Sequence, residues 1–257
     1  MRRRKRTPLR SALGLASVAL GAAAGPVAAQ DRAGVTGAVI PQASSQRPNA
    51  TMRSLSIGAE VVRNERITTD TGGRAQLMFL DQTAITVGAN SEVTIDEFVY
   101  NPAQDTGTAA VSVGRGVMRF VGGRLSKSQD ATIRTPVATI GIRGAITITE
   151  ILPNLSTLIV FVFGDRVTIR ASNGATRVLT QPGIAIIVTA NGVIEDPFFP
   201  RPELLDRLLG LLGPSSGSAG PGLPGLDVVG GSPVFPGGID LPQLRQIIIQ
   251  SRPTFGY

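Results

Sequence analysis

Short runs of alternating apolar and polar residues fill positions 55–195, and they restrict the fold more than any other feature of the sequence. In RAQLMFL, the residues Ala75, Leu77 and Phe79 share one parity, and the same period recurs in SEVTIDEFVY and RVTIRAS. A period of two places successive side chains on opposite faces of an extended strand. No stretch with a helical period separates the runs, which argues against strand–helix–strand units.

The runs are separated by short spacers of turn-forming residues. Gly72-Gly73 and Asn173-Gly174 are candidate hairpin turns because these residues tolerate positive φ. Asp81-Gln82 marks a turn without glycine. The spacing predicts roughly ten to twelve short strands, mainly antiparallel. Because runs such as ATIGIRGAITITEI carry Thr and Ile on both faces, we predict an all-β solenoid or sandwich.

The segments that flank positions 55–195 differ in composition. Residues 30–54 are small and polar, so we expect a flexible lead-in there. Residues 196–257 form a tail in which 14 of the 26 residues from 213 to 238 are Gly or Pro. Within the tail, ELLDRLLGLL predicts a short helix over 203–212, and a second helix is predicted over 241–250 behind the N-cap residue Asp240. We expect a partly helical or disordered accessory tail, or, as the alternative, a second helix that docks on a partner.

The basic residues of the chain are concentrated at its amino terminus. Six of them lie in the first ten positions: Arg2, Arg3, Arg4, Lys5, Arg6 and Arg10. An uncharged run follows over 11–29, and its apolar centre suits a signal peptide but is short for a membrane span, which needs about 20 residues. Small residues before Gln30 predict cleavage between Ala29 and Gln30. We therefore predict a signal peptide over 1–29; a nucleic-acid-binding arm and an uncleaved anchor are the alternatives.

Removal of this segment changes the charge of the protein. The chain has 25 Lys and Arg against 18 Asp and Glu, a formal net charge of +7. Without the six basic residues of 1–29, which contains no acidic residue, 19 basic residues face 18 acidic ones and the net charge is +1. No nucleic-acid partner is therefore expected. We predict a periplasmic protein, with the extracellular space or the cell surface as the alternative.

The chain contains no His, Cys or Trp. Disulfides, thiol nucleophiles and histidine bases are therefore excluded, including Ser-His-Asp catalysis, and zinc, haem and iron–sulfur sites lose their usual ligands. Asp96-Glu97 and Glu195-Asp196 are adjacent acids, but neighbours on a strand face opposite ways, so neither pair alone forms a catalytic dyad. We expect no enzyme activity, no cofactor and no metal site.

Several motifs occur in one order along the β region. GAEVVRNERITTDTGGRAQLMFLDQTAITVGANSEVTIDEFVY has a Gly-x-x-Val entry, an I-x-T-x-x-x-G-x-A turn, a phenylalanine strand and a turn centred on Asp81. VSVGRGVMRFVGG and ATIRTPVATIGIRGAITIT follow. Together they resemble the FecR domain, named after the ferric-citrate regulator, over residues 55–150 with β continuation to 195. The late segment TP-x-A-T-I-G-I-R-G is the most specific and contributes the candidate motif residues Thr135, Pro136, Gly141, Arg143 and Gly144.

Two positions depart from the family pattern. The family commonly has Asp-Gly-Thr where this chain has Asp81-Gln82-Thr83, and Arg-Gly-Thr where it has Arg143-Gly144-Ala145. The Gly-x-x-Gly spacing around Arg143 is not a phosphate loop, because no Lys-Ser/Thr and no helix follow it. We expect a bend in a strand there. Arg143 stands in an apolar stretch, so we expect it to pair with a carboxylate or with turn carbonyls.

The resemblance implies a limited set of functions. Regulatory members of the family have a cytoplasmic segment that handles a sigma factor, one membrane span and this domain in the periplasm; neither the segment nor the span is expected here. The leading hypothesis is an exported, non-catalytic module that senses or binds another envelope protein, a small ligand or a glycan, in signalling. A structural or adhesive surface protein is the alternative, and a carbohydrate-active enzyme the weaker one. The row Arg166, Arg170 and Arg177 could contact an anionic glycan or headgroup, or be an ordinary solvated strand face.

Overall fold

A computed structural model describes residues 32–40 and 42–213; the predicted signal peptide and the predicted helix over 241–250 lie outside these residues. The described part contains 16 strands and two helices. In chain order they are β1 (Arg32–Ile40), β2 (Ala43–Gln46), β3 (Arg53–Ser54), β4 (Glu60–Val62), β5 (Glu65–Thr69), β6 (Arg74–Phe79), β7 (Ala84–Val87), β8 (Glu92–Asn101), β9 (Thr106–Val121), α1 (Arg124–Ser128), β10 (Ala131–Arg134), β11 (Ala138–Arg143), β12 (Ile146–Ile151), β13 (Thr157–Phe163), β14 (Arg166–Ala171), β15 (Thr176–Leu179), β16 (Ile184–Val188) and α2 (Pro202–Leu212).

The long strand β9 belongs to two sheets and joins them into one hydrogen-bonded network. Its first half pairs with β8 and β10, and its second half pairs with β7 and β12. The first sheet has the order β4-β1-β6-β7-β9-β12-β13-β16, and the second has the order β3-β2-β5-β8-β9-β10-β11-β14-β15. Among the strands of residues 32–40 and 42–213, only β9 and β10 pair in parallel. The predicted all-β fold of short, mainly antiparallel strands is confirmed; residues 55–195 contain 13 strands, β4 to β16, where ten to twelve are predicted.

The two sheets enclose one hydrophobic core. Leu77 of the first sheet and Ile140 of the second are fully buried in the same cluster. The rings of Phe79 and Phe98, one from each sheet, have centroids 4.8 Å apart. The period of two that predicts the strands thus also fills the space between the sheets, and the architecture is the sandwich of the two predicted alternatives.

The lead-in prediction for residues 30–54 is wrong where the structure shows strands, at 32–40 and 43–46. β1 lies inside the first sheet, between β4 and β6. Its sequence, RAGVTGAVI, is rich in small residues, so composition suggests a flexible segment. Backbone hydrogen bonds to two neighbours supply the stability that its small side chains do not indicate.

The structure confirms one of the two predicted hairpin turns and contradicts the other. Asn173-Gly174 joins β14 to β15, which pair with each other, so this prediction is confirmed. Gly72-Gly73 joins β5 of the second sheet to β6 of the first, and these strands do not pair, so the hairpin prediction is wrong there. Turn-forming residues fix a change of direction, but they do not determine whether the flanking strands become neighbours.

α2 covers the outer face of the first sheet. Leu205, Leu208 and Leu212 are buried against apolar residues of β9, β12, β13 and β16. Arg207 donates two hydrogen bonds to the Glu150 carboxylate, at 2.5 and 2.7 Å. These bonds raise the pKa of Arg207 above its ordinary value.

The carboxyl end of α2 is also held by the domain. Arg74 donates to the carbonyls of Leu211 and Gly210 at 2.8 and 2.6 Å, and the Ala89 N–H donates to the Leu211 carbonyl at 3.0 Å. These donors satisfy carbonyls that a helix end leaves without partners. The helix predicted over 203–212 is confirmed as Pro202–Leu212, but it is part of the fold and not of an accessory tail.

Neither helix in the described residues has the length and apolar character that crossing a membrane requires.

Ending the chain at different points tests whether α2 belongs to the domain. A chain that ends after Gly213 should keep cooperative urea unfolding, followed by circular dichroism. A chain that ends after Pro200 should lose at least about 4 kcal/mol of stability, because fully burying one leucine contributes about 1.5–3 kcal/mol.

Single substitutions in α2 provide the control for this truncation. Leu208→Ala removes a buried side chain and should cost about 2–5 kcal/mol. Gly210→Ala changes an exposed position of the same helix with no atom within 4 Å of the new Cβ, and it should stabilise slightly. Equal urea midpoints for the two truncated chains would show that α2 is accessory.

Candidate functional site

Asp81 is completely buried in the turn between β6 and β7. Its carboxylate accepts hydrogen bonds from the Thr83 N–H at 2.9 Å, the Thr83 hydroxyl at 2.8 Å and the Leu125 N–H at 3.2 Å. The Thr83 hydroxyl oxygen accepts from the Gly123 N–H at 3.0 Å, and the Asp81 carbonyl accepts from the Arg124 N–H at 2.8 Å. Asp81 therefore ties α1 to the turn and has no surface to offer a partner.

The departure from Asp-Gly-Thr has a conformational consequence. Gln82 has a φ of +71°, in the left-handed region that favours glycine. Its N–H donates to the Phe79 carbonyl at 3.0 Å, and the Phe79 N–H donates to the Thr83 carbonyl at 2.9 Å. A non-glycine residue in this region costs about 1–2 kcal/mol. The chain thus carries backbone strain at the position where the family commonly has glycine.

Thr135 and Pro136 lie in the turn between β10 and β11. The Thr135 hydroxyl oxygen accepts from the Ala138 N–H at 3.0 Å and from the Thr157 hydroxyl at 3.0 Å. The Thr135 N–H donates to the Ala138 carbonyl at 2.8 Å. Thr135 therefore fixes the hairpin and connects it to β13, while Pro136 is exposed at its tip.

Gly144 turns the chain from β11 of the second sheet to β12 of the first. Its φ is +53°, and a Cβ at this position would lie 2.8 Å from Asp165 Oδ2. The Gly144 N–H donates to the Ser126 carbonyl at 2.7 Å. The bend predicted from the glycines around Arg143 is therefore located at Gly144, while Gly141 lies inside β11.

Alternate residues of β10, β11 and β14 form an array of three rows on the outer face of the second sheet, which we name the arginine–threonine grid. The register of the strands aligns the rows, and Asp130, directly before β10, completes the last one. The rows are Arg134, Thr139 and Arg170; Thr132, Gly141 and Thr168; and Asp130, Arg143 and Arg166.

The last row of the grid is an ionic cluster. Arg143 Nε donates to Asp130 Oδ1 at 2.7 Å, and Arg166 Nη2 donates to the same oxygen at 3.4 Å. The prediction that Arg143 pairs with a carboxylate is confirmed. One carboxylate therefore serves two guanidinium groups, and all three side chains are partly exposed to solvent.

The first row of the grid likewise has two arginines and only one carboxylate partner. Arg134 Nη1 donates to Asp96 Oδ2 at 2.8 Å, and Asp96 belongs to β8, on the far side of β9. Arg170 is exposed and makes no salt bridge within residues 32–40 and 42–213. The four arginines of the grid are thus accompanied by two carboxylates, those of Asp130 and Asp96. Together these six groups have a net charge of +2.

The centre of the grid carries only small and polar groups. Gly141 has no side chain there, and a Cβ would lie 3.4 Å from Asp130 Oδ2 and 3.8 Å from the Thr168 Cβ. Thr132, Thr139 and Thr168 have no side-chain hydrogen bond within the part of the chain that the structure describes. Their hydroxyls are therefore available to a ligand.

The predicted arginine row on β14 and β15 is only partly correct. Arg166 and Arg170 share the outer face, in the grid. Arg177 instead lies opposite Ile169, whose side chain faces the core, and it contacts Asp196 at 3.5 Å. The hairpin register thus places Arg177 on the other face of its strand.

Only Gly141 and Arg143 of the predicted motif residues belong to the grid. Thr135, Pro136 and Gly144 lie in the turns at the two ends of β11, and Asp81 lies in the β6–β7 turn of the first sheet. The remaining grid residues have a sequence signal: Thr and Arg share one parity in ATIR, ATIGIR and RVTIR. This signal becomes specific only when the register between the three strands is known.

Acidic side chains do not converge elsewhere in the described residues. Asp96 and Glu97 lie at an irregularity in the pairing of β8 with β9, and the Asp96 carboxylate accepts from the Ser112 hydroxyl at 2.7 Å. Within residues 32–40 and 42–213, no three His, Cys, Asp or Glu side chains are grouped closely enough to hold a metal ion.

One family model matches part of the chain. The family model described as FecR protein matches residues 65–178. Two crystal structures of a proposed anti-sigma factor from Parabacteroides distasonis are similar, each with 20% sequence identity and a TM-score of 0.43. Each similarity covers 52% of this chain and 59% of that protein, so the match spans less than two thirds of the length of the solved chain. No curated protein matches this chain.

The bend at Gly144 can be tested by substitution. Gly144→Val should destabilise the domain by about 2 kcal/mol or more, because a β-branched residue is strained at positive φ and meets Asp165. Chemical denaturation measures this difference. Gly72→Val is the matched control, since Gly72 is exposed and its nearest contact would be 3.8 Å away. A similar loss at both positions would contradict the bend.

The strain at Gln82 predicts a stabilising substitution. Gln82→Gly should raise the free energy of unfolding by about 0.5–1 kcal/mol, since relief of strain exceeds the added entropy of the unfolded chain. The same change at Gln104, an exposed loop residue without positive φ, should destabilise slightly. Thermal unfolding of both variants and the parent measures the two changes in stability, which should have opposite signs. A change in the same direction for both variants would contradict backbone strain at Gln82.

Proposed function

Residues 65–178 form a FecR domain, and from this premise we propose that the chain is a non-catalytic signalling and sensing protein of the cell envelope. In this role the domain binds another envelope protein, and the arginine–threonine grid is the contact surface. The regulatory character of the family supports the signalling role, and the absence of His and Cys from the chain supports a role without catalysis.

The location in the periplasm rests on the amino-terminal sequence. The basic block, the uncharged run over 11–29 and the small residues before Gln30 together support export and cleavage. The near-neutral charge of the remaining chain removes the reason to expect a nucleic-acid partner.

One observation carries the choice of surface: the most specific family motif lies on a strand face with uncompensated positive charge. Arg143 and Gly141 of the motif meet Arg166 and Arg170 of β14 through the strand register. Arginine is the charged residue that protein interfaces use most as an energetic anchor. Since the grid stands on paired strands, the backbone that carries its side chains is fixed without a partner.

Site-specific photo-crosslinking in cells tests the proposal. A photoreactive amino acid at Thr139, exposed within the grid, should capture one defined protein, identified by mass spectrometry. The same amino acid at Met52, which is exposed outside the grid, should not capture it. In the crosslinked product, the protein that carries the photoreactive amino acid should begin at Gln30 and lie in the periplasmic fraction. Identical products from both positions, or no product, would contradict the proposed surface.

A further inference from the structure

We infer that the arginine–threonine grid recognises an extended acidic segment of the partner protein, with two carboxylates four residues apart. The inference rests on the proposed function, because it specifies the chemistry of the partner at the same surface. Its evidence is the charge of the grid and the spacing of its rows.

The donor groups of the grid match carboxylates. A guanidinium group offers five N–H donors in a planar fork that binds a carboxylate through two parallel hydrogen bonds. Arg143 and Arg166 each direct one nitrogen at the same oxygen, Asp130 Oδ1. The bond from Arg166 is long, at 3.4 Å. Arg166 therefore retains donors for a second carboxylate, and Arg170 makes no salt bridge in residues 32–40 and 42–213.

The spacing of these two arginines selects an extended ligand. Arg166 and Arg170 lie on the same face of β14, four residues apart. Four residues of a strand span about 13 Å. Two carboxylates at positions i and i+4 of an extended peptide have the same separation, so such a peptide aligned with β14 can engage both arginines.

The middle row of the grid accommodates the residues between the two carboxylates. Gly141 places no side chain above β11, where a Cβ would meet only Asp130 and Thr168, and Thr132 and Thr168 flank it in the strand register. Hydroxyl groups both donate and accept, so they can bond the polar backbone of an extended peptide. A bulky side chain at position 141 would press against Asp130 and Thr168 and cover the middle row.

A protein segment suits the grid better than a sugar polymer. None of the nine grid residues is aromatic, whereas a face built to stack sugar rings needs aromatic side chains. No large apolar side chain anchors the grid either. Binding therefore depends on charge complementarity, which salt weakens.

The test is a fluorescence anisotropy titration of the mature chain, residues 30–257, with a labelled peptide of sequence Thr-Glu-Thr-Val-Thr-Glu-Thr. Binding at 20 mM NaCl should weaken about tenfold at 200 mM NaCl, because the contact is ionic. An isomer with the two glutamates adjacent should bind several-fold more weakly than the i, i+4 peptide. Equal binding of the two isomers would overturn the spacing argument.

Charge-removing variants locate the contact. Arg166→Gln and Arg170→Gln should each weaken binding about five- to tenfold. Arg63→Gln removes the same charge from an exposed turn between β4 and β5, and it should leave binding unchanged. Circular dichroism should show all three variants folded, because the substituted side chains are partly or fully exposed. Unchanged binding in both grid variants would overturn the inference.

Two further results separate this inference from the proposed function. A partner captured through Thr139 that is still captured in the Arg166→Gln, Arg170→Gln double variant overturns the inference and leaves the proposed function intact. Peptide binding with no partner captured in cells overturns the proposed function alone. Arginine-dependent binding of polygalacturonate, a carboxylated glycan, without binding of the peptide would also overturn the inference.

Discussion

The passage of β9 from one sheet to the other at Gly116 is the constraint on which the rest of the domain depends. Gly116 has a φ of +76°, and a Cβ there would lie 2.3 Å from Ser91 Oγ and 2.6 Å from the Asn90 carbonyl oxygen. Ser91 is fully buried and accepts the Val117 N–H at 2.8 Å. Because β9 pairs with four strands, two in each sheet, this bend sets the relation between both layers.

The bend also changes which residues of β9 face the core. Val111 and Val113 point into the core before the bend, whereas Met118 and Phe120 do so after it. The side-chain parity therefore shifts by one residue, as expected where extra backbone is inserted into a strand. Arg119 consequently lies on the face covered by α2, where burial lowers its pKa to about 10. One strand thus contributes to the core and to both outer faces.

Sequence reasoning recovers the features that are encoded locally. The alternation in RAQLMFL and RVTIRAS predicts β6 and β14, the Asn173-Gly174 turn predicts the β14–β15 hairpin, and the period of ELLDRLLGLL predicts α2. Each of these signals lies within about ten neighbouring residues. The carboxylate partner of Arg143 agrees with the expectation from sequence, although the arginine is partly exposed on the outer face and not buried.

Features that depend on distant pairing are not encoded in this way. The small residues of β1 resemble a linker until β4 and β6 are placed beside it. The leucine stripe of α2 shows that the helix covers something, but not that it covers the first sheet. The grid combines β10, β11 and β14, and only their register brings Arg170 into line with Thr139 and Arg134. In the first sheet, α2 covers the outer face of β9, β12, β13 and β16, whereas the outer face of β10, β11 and β14 in the second sheet leaves its arginines open to solvent. Because Ile140 and Ile169 are buried directly behind this face, the arginines stand on a packed layer, and a partner that binds them need not first order the backbone that carries them.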